Sequence, residues 1–95
     1  MHDDTAAGVD EERRLNVGTF VRGVVVCHHP FGVGIYLDDE DQYGHVDVSH
    51  IRDGLVRGSE DYPGLGVRTS AVVLGYSGLG QLRLTTRLSD LPGYN

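Results

Sequence analysis

Lysine and tryptophan are absent from this 95-residue chain, and cysteine occurs once. A lone cysteine excludes an intramolecular disulfide framework and a cysteine-rich zinc site, and it fits a reducing compartment. No apolar run approaches the roughly 18 residues of a membrane-spanning helix, and no charged-then-apolar leader opens the chain. The sequence therefore predicts a soluble, cytoplasmic protein with no membrane partner. Basic charge is also scarce, with eight arginines set against fourteen acids and five histidines. Proteins that hold nucleic acid through bulk charge are basic, so any such affinity here has to come from placed residues.

The acid is unevenly spread. Residues 1–16 hold five acids and two arginines, residues 17–87 hold eight acids and six arginines, and Asp90 follows. Asp38, Asp39, Glu40 and Asp41 supply half of the central acids, so the rest of that segment is net positive. A chain of this length makes one small domain that buries only about 60–65 % of its unfolded surface. Residues 1–16 carry few large apolar groups and read as a disordered acidic tail, residues 88–95 as a C-terminal tail, and 17–87 as the domain between them.

Within that domain the pattern is β throughout. Gly18 to Cys27 is rich in β-branched residues and predicts a long strand, with Gly23 marking a bend or bulge. Val33–Leu37 and His45–Val48 alternate, which sends Val33, Ile35, Leu37, Val46 and Val48 inward and Gly34, Tyr36, His45 and Asp47 outward. Glycines and a proline between His50 and Gly66 leave room for no more than a helical turn. Val67–Leu74 predicts a fourth strand, and the turn Ser77–Gly80 leads into a fifth, Gln81–Thr86. Five short strands with glycine-rich bends predict an all-β, five-stranded antiparallel barrel with flexible termini, because closure removes the sheet edges.

These residues resemble the S1-type RNA-binding domain of the oligonucleotide-binding (OB) fold. The resemblance rests on Gly18, Phe20, Gly23 and Val25, then Phe31-Gly32, then the run Gly44-His-Val-Asp-Val-Ser49. Tyr62 with Gly66, and Gly80 followed by Leu-Arg-Leu-Thr85, complete it in the family's order from Val17 to about Arg87. The family implies a non-catalytic module that binds single-stranded RNA by stacking bases on two aromatics of the second strand and a histidine of the third. Phe31 keeps the first aromatic. The second falls on Gly34, the histidine on Asp47, the two positions around the last turn on Ser77 and Gln81, and a position where lysine is common on Val72. One lost base stack removes roughly 1–3 kcal/mol, and an aspartate ~5 Å from a phosphate is repelled by a few kcal/mol before screening. The implied RNA binding is therefore weak.

Strand parity offers compensation, since Tyr36 and His45 share the outer face with Gly34 and Asp47. Phe31, Tyr36 and His45 are the candidate stacking residues, and Arg83 and Arg87, with Arg22, the candidate backbone contacts. The competing assignment makes Tyr36 and His45 an ordinary cross-strand pair and Phe31 a loop anchor over the barrel mouth. A second function class is a barrel turned to protein contact, with Asp38–Asp41 meeting a basic partner. As a plain solvated turn, the same acids discourage hairpin self-association.

Other chemistries fit less well. Cys27-His28-His29, with His45 and His50, lacks the spacing of a structural zinc site, and adjacent strand residues point to opposite sides. The acidic run lacks the alternating ligands of a calcium loop. Asp47, Ser49 and His50 are triad residue types without a cleft to converge across. Glycine pairs at Gly32, Gly64 and Gly78 precede no helix and make no phosphate cradle. The sequence thus predicts no enzyme, no cofactor and no metal.

Overall fold

The computed structural model describes residues 13–90. The expected tails fall largely outside the described residues, up to residue 12 and from residue 91 onward. Five strands carry the chain: β1 (Phe20–His29), β2 (Gly32–Leu37), β3 (Gln42–Asp47), β4 (Arg68–Tyr76) and β5 (Leu82–Thr85). They close into a barrel in the order β1-β2-β3-β5-β4. The only helical pieces among the described elements are three-residue 3-10 turns at Val48–His50, Ser59–Asp61 and Leu88–Asp90.

One ladder departs from the fully antiparallel barrel expected from the sequence, because β3 and β5 run parallel. Parity supplies the reason. Strand directions can alternate all the way round a closed ring only when the number of strands is even, so five strands force a parallel contact. It falls between β3 and β5, whose connection includes the long loop and the whole of β4, the crossover that parallel neighbours require.

Inward alternation builds the core. Val33, Ile35 and Leu37 of β2, Val46 of β3, Val73 of β4 and Leu84 of β5 are fully buried, and Val21 and Val25 of β1 join them. Each such side chain contributes about 1.5–3 kcal/mol of burial. Val48, expected inward on the third strand, instead lies just past β3 in its 3-10 turn and packs half-buried against the core.

Gly23 has a different role from the predicted bend. A Cβ there would press into the Tyr36 carbonyl and the side chains of Ile35 and Leu37, so glycine permits a close approach of β1 to β2 at the barrel wall. The irregularity of β1 comes later, between Val25 and Cys27, where Val25 pairs with Ile35 and Cys27 with Gly34. This extra residue resets the alternation. Val25 points inward, and Cys27, two residues on, lies on the outer side with Gly34 instead of following it into the core.

Residues 13–16 dock on the barrel. The Leu15 amide donates to the Tyr76 hydroxyl (3.0 Å), which donates to Gln42 Oε1 (2.9 Å), and Gln42 Nε2 donates to the Arg13 carbonyl (2.7 Å). These bonds satisfy Gln42, a polar side chain buried at the start of β3. The Arg14 guanidinium lies 4.4 Å from the centre of the Tyr76 ring.

Candidate nucleic-acid interface

The outer face of β2 and β3 is set by the register of their ladder. Gly32 pairs with Asp47, Gly34 with His45, and Tyr36 with Tyr43. Tyr36 and His45 are thus not directly paired; each has another partner. The Tyr36 and Tyr43 rings lie 4.8 Å apart at 43°, and the His29 and His45 rings 5.4 Å apart at 48°. Both distances fall in the range of tilted aromatic contacts. Tyr43 is 69 % exposed and stands with Tyr36 at the hairpin-turn end of this face. The sequence reading missed it, together with His29, which the irregularity in β1 turns toward His45.

The β1–β2 turn presents Phe31 with its side chain 72 % exposed, so the ring is not an anchor packed over the barrel mouth. Its backbone is nonetheless held, because the Val48 amide donates to the Phe31 carbonyl (2.8 Å). The Tyr62 hydroxyl, shared between the His29 and Pro30 carbonyls at 3.0 and 3.2 Å, ties the turn to the long loop. His28 turns away from His29 to meet Tyr62 edge-on.

The arginines divide. Arg83 of β5 lies beside His45 in the parallel ladder, exposed and without an ion pair among the described residues. Arg87 stands past the end of β5, and its Nε donates to Asp90 Oδ2 (2.8 Å), which also accepts from the Thr85 hydroxyl. Arg22 pairs with Ser70 on the β1–β4 side. Only Arg83 of the three therefore adjoins the β2–β3 face with an unengaged charge among the described residues.

The acids divide too. Asp38 holds Arg68 in a two-pronged pair at 3.0 and 3.1 Å, and this guanidinium keeps its carboxyl below the usual carboxylate range. Asp41, at a left-handed φ of 55°, accepts from the Tyr36 hydroxyl at 2.8 Å, which raises the phenol's pKa. Asp47 accepts from both the hydroxyl and the amide of Ser49, at 2.7 and 3.0 Å, and caps the 3-10 turn Val48–His50. Those bonds lower its pKa. Ser49 Oγ stands between Asp47 and His50 Nδ1, 3.3 Å away, so the imidazole does not bridge acid and hydroxyl as a catalytic triad needs.

Burial holds the His45 imidazole below the ordinary histidine range, reinforced by His29 and Arg83 and opposed by Asp47. At neutral pH His45 is uncharged and offers one donor and one acceptor. Between Gly34, Tyr43 and the two imidazoles the face dips into a cavity of about 220 Å³. Among the described residues, no three His, Cys, Asp or Glu side chains are grouped to hold a metal ion, and no helix is long and apolar enough to cross a membrane.

No family model and no curated protein matches the sequence. Solved structures do match. GSP13 from Bacillus subtilis superposes with a TM-score of 0.70 at 25 % identity, over 80 % of this chain and 58 % of that one. The intact alpha subunit of aIF2 from Pyrococcus abyssi gives 0.71 at 25 % identity, over 79 % and 30 %. A chain of the a/eIF2alpha-aDim2p-rRNA complex from Pyrococcus horikoshii gives 0.70 at 25 % identity, over 77 % and 45 %. This chain thus spans between 30 % and 58 % of the length of these three. The likeness to S1-type domains read from the sequence holds in three dimensions, and the barrel is a five-stranded OB fold.

Proposed function

We propose that this barrel is a non-catalytic module that binds single-stranded RNA on its β2–β3 face, weakly and through stacking. The observation that carries the reading is the pair of exposed or half-exposed ring contacts on that face, Tyr36 with Tyr43 and His45 with His29, with Arg83 beside them. OB folds place oligonucleotides on these strands. Rings accept bases of any sequence, and a neighbouring guanidinium takes the phosphate. The similarity to a chain of a complex that contains rRNA supports the same reading.

Weak affinity follows from the charge arrangement. Asp47 keeps its negative charge on the face, and the platform's other end is bonded to Asp41 of the acidic turn. Phe31, Tyr36, Tyr43 and His45 supply the stacking, and Arg83 the backbone contact. Arg87, paired with Asp90, adds less. Fluorescence anisotropy with a labelled single-stranded RNA decamer at low salt tests the reading. Binding is expected, with the duplex of the same sequence binding more weakly, and equal binding of both would refute stacking as its basis.

A further inference from the structure

The cavity at Gly34 is built by two departures from a regular sheet. The irregularity between Val25 and Cys27 brings Cys27 and His29 to the outer side of β1. The glycine at 34, opposite Cys27 on one side and His45 on the other, bears no side chain, and the Cys27 sulfur leans over it, 2.5 Å from where a Cβ would lie. A platform with a side chain there would be flat. Instead the face has a hollow of about 220 Å³ with Gly34 as floor and Val26, Cys27, His29, Tyr43, His45 and Gln81 as walls.

The walls describe their guest. None carries a carboxylate, a guanidinium or an ammonium, so a phosphate finds no fixed counter-charge inside, and Cys27, His29 and His45 are not grouped to hold a metal ion among the described residues. One phenol and two imidazoles offer π faces, and the Gln81 amide, the imidazole nitrogens and the Cys27 thiol offer hydrogen-bonding edges. Burial keeps His45 in its uncharged form. A cavity of about 150 Å³ suffices for benzene, so this one is on the scale of a single heterocycle. Arg83, next to His45 but outside the lining, is placed for a charge attached to that heterocycle.

We propose that this cavity receives one unstacked nucleobase of the bound RNA, inserted between Tyr43 and the His29–His45 pair and read at its edge by Gln81. The proposal rests on the RNA-binding reading and adds to it a base-reading pocket where a stacking platform would lie flat. Inserting one base makes the site sensitive to the identity of a single nucleotide, whereas its neighbours on Tyr36 and Phe31 stack without preference.

Cys27 makes the test direct, because it is the chain's single cysteine and lines the hollow. The rate of its alkylation by N-ethylmaleimide is measured alone, with a saturating single-stranded RNA hexamer, with a hexamer of abasic sites, and with a nucleoside monophosphate. Amide shifts of residues 31–47 are followed in parallel. The hexamer is expected to slow alkylation by roughly fivefold or more, the abasic hexamer to leave it unchanged, and prior alkylation to weaken hexamer binding by a similar factor. Amide shifts with no protection of Cys27 would overturn the pocket and leave the RNA reading standing. No shifts at all would overturn both. Protection by the monophosphate but not by the hexamer would make the hollow a free-nucleotide site and also overturn the proposal.

Discussion

Cys27 and Gly34 face each other across the β1–β2 ladder so closely that a Cβ on Gly34 would lie 2.5 Å from the Cys27 sulfur. The two positions restrict each other: a side chain at 34 requires Cys27 to leave its present rotamer. Gly34→Ala is expected to lose about 1 kcal/mol of stability, and Cys27→Ala in the same chain to restore most of it. Urea unfolding of the single and double variants measures this coupling, and strictly additive effects would contradict it.

Tyr43 is an exposed ring at the hairpin-turn end of the face, in tilted contact with Tyr36. Tyr43→Ala is expected to weaken binding of a single-stranded RNA by about 5- to 150-fold, the worth of one base stack. Its thermal midpoint should move little, because an exposed ring contributes little to the core. Anisotropy and thermal melts on the same sample separate the two effects.

How so exposed a ring escaped the sequence reading has a physical answer. The third strand begins at Gln42, where a polar side chain points inward and an aromatic one points outward, the reverse of the alternation that marks strands elsewhere in the chain. Gln42 is buried only because Tyr76 and the Arg13 carbonyl satisfy it, and these contacts bridge 34 and 29 positions of sequence. The irregularity in β1 is similarly silent, since Val24-Val-Val-Cys27 contains no punctuating residue, whereas Gly23, which punctuates, serves a close approach instead. By contrast, the inward set Val33, Ile35, Leu37 and Val46, the outward side of Tyr36 and His45, and the barrel itself were legible, because simple alternation governs them.

Arg83 and Arg87 should behave differently. Arg83 has an unengaged charge among the described residues beside the face, and Arg87 is paired with Asp90. Arg83→Ala is expected to lower the slope of log affinity against log salt by about 0.7, the signature of one lost phosphate contact with a single strand. Arg87→Ala should change that slope less and act on stability instead, as Asp90 loses its partner. Equal slope changes in the two variants would contradict the assignment.

His45 links the face to pH. Its folded pKa lies below the ordinary 6.5 because burial disfavours the imidazolium. The unfolded chain therefore takes up the proton first as pH falls, so stability present above pH 6.5 is lost below it, down to the folded pKa. Bound phosphate favours the protonated form, so RNA affinity should rise between pH 7.5 and pH 6, by up to about tenfold. His29, Asp47 and Arg83 face the same imidazole, and a His45→Gln variant isolates its share. A pH profile unchanged by that substitution would exclude His45 as the source.

The location of the ligand is the central claim, and titration of a short single-stranded RNA into isotopically labelled protein at low salt tests it most directly. The account predicts amide shifts concentrated on residues 31–47, with Gly34, Tyr36, Tyr43 and His45 foremost, and little change on the β1–β4 side around Arg22 and Ser70. Shifts centred on that opposite side, or none at millimolar RNA, would contradict it.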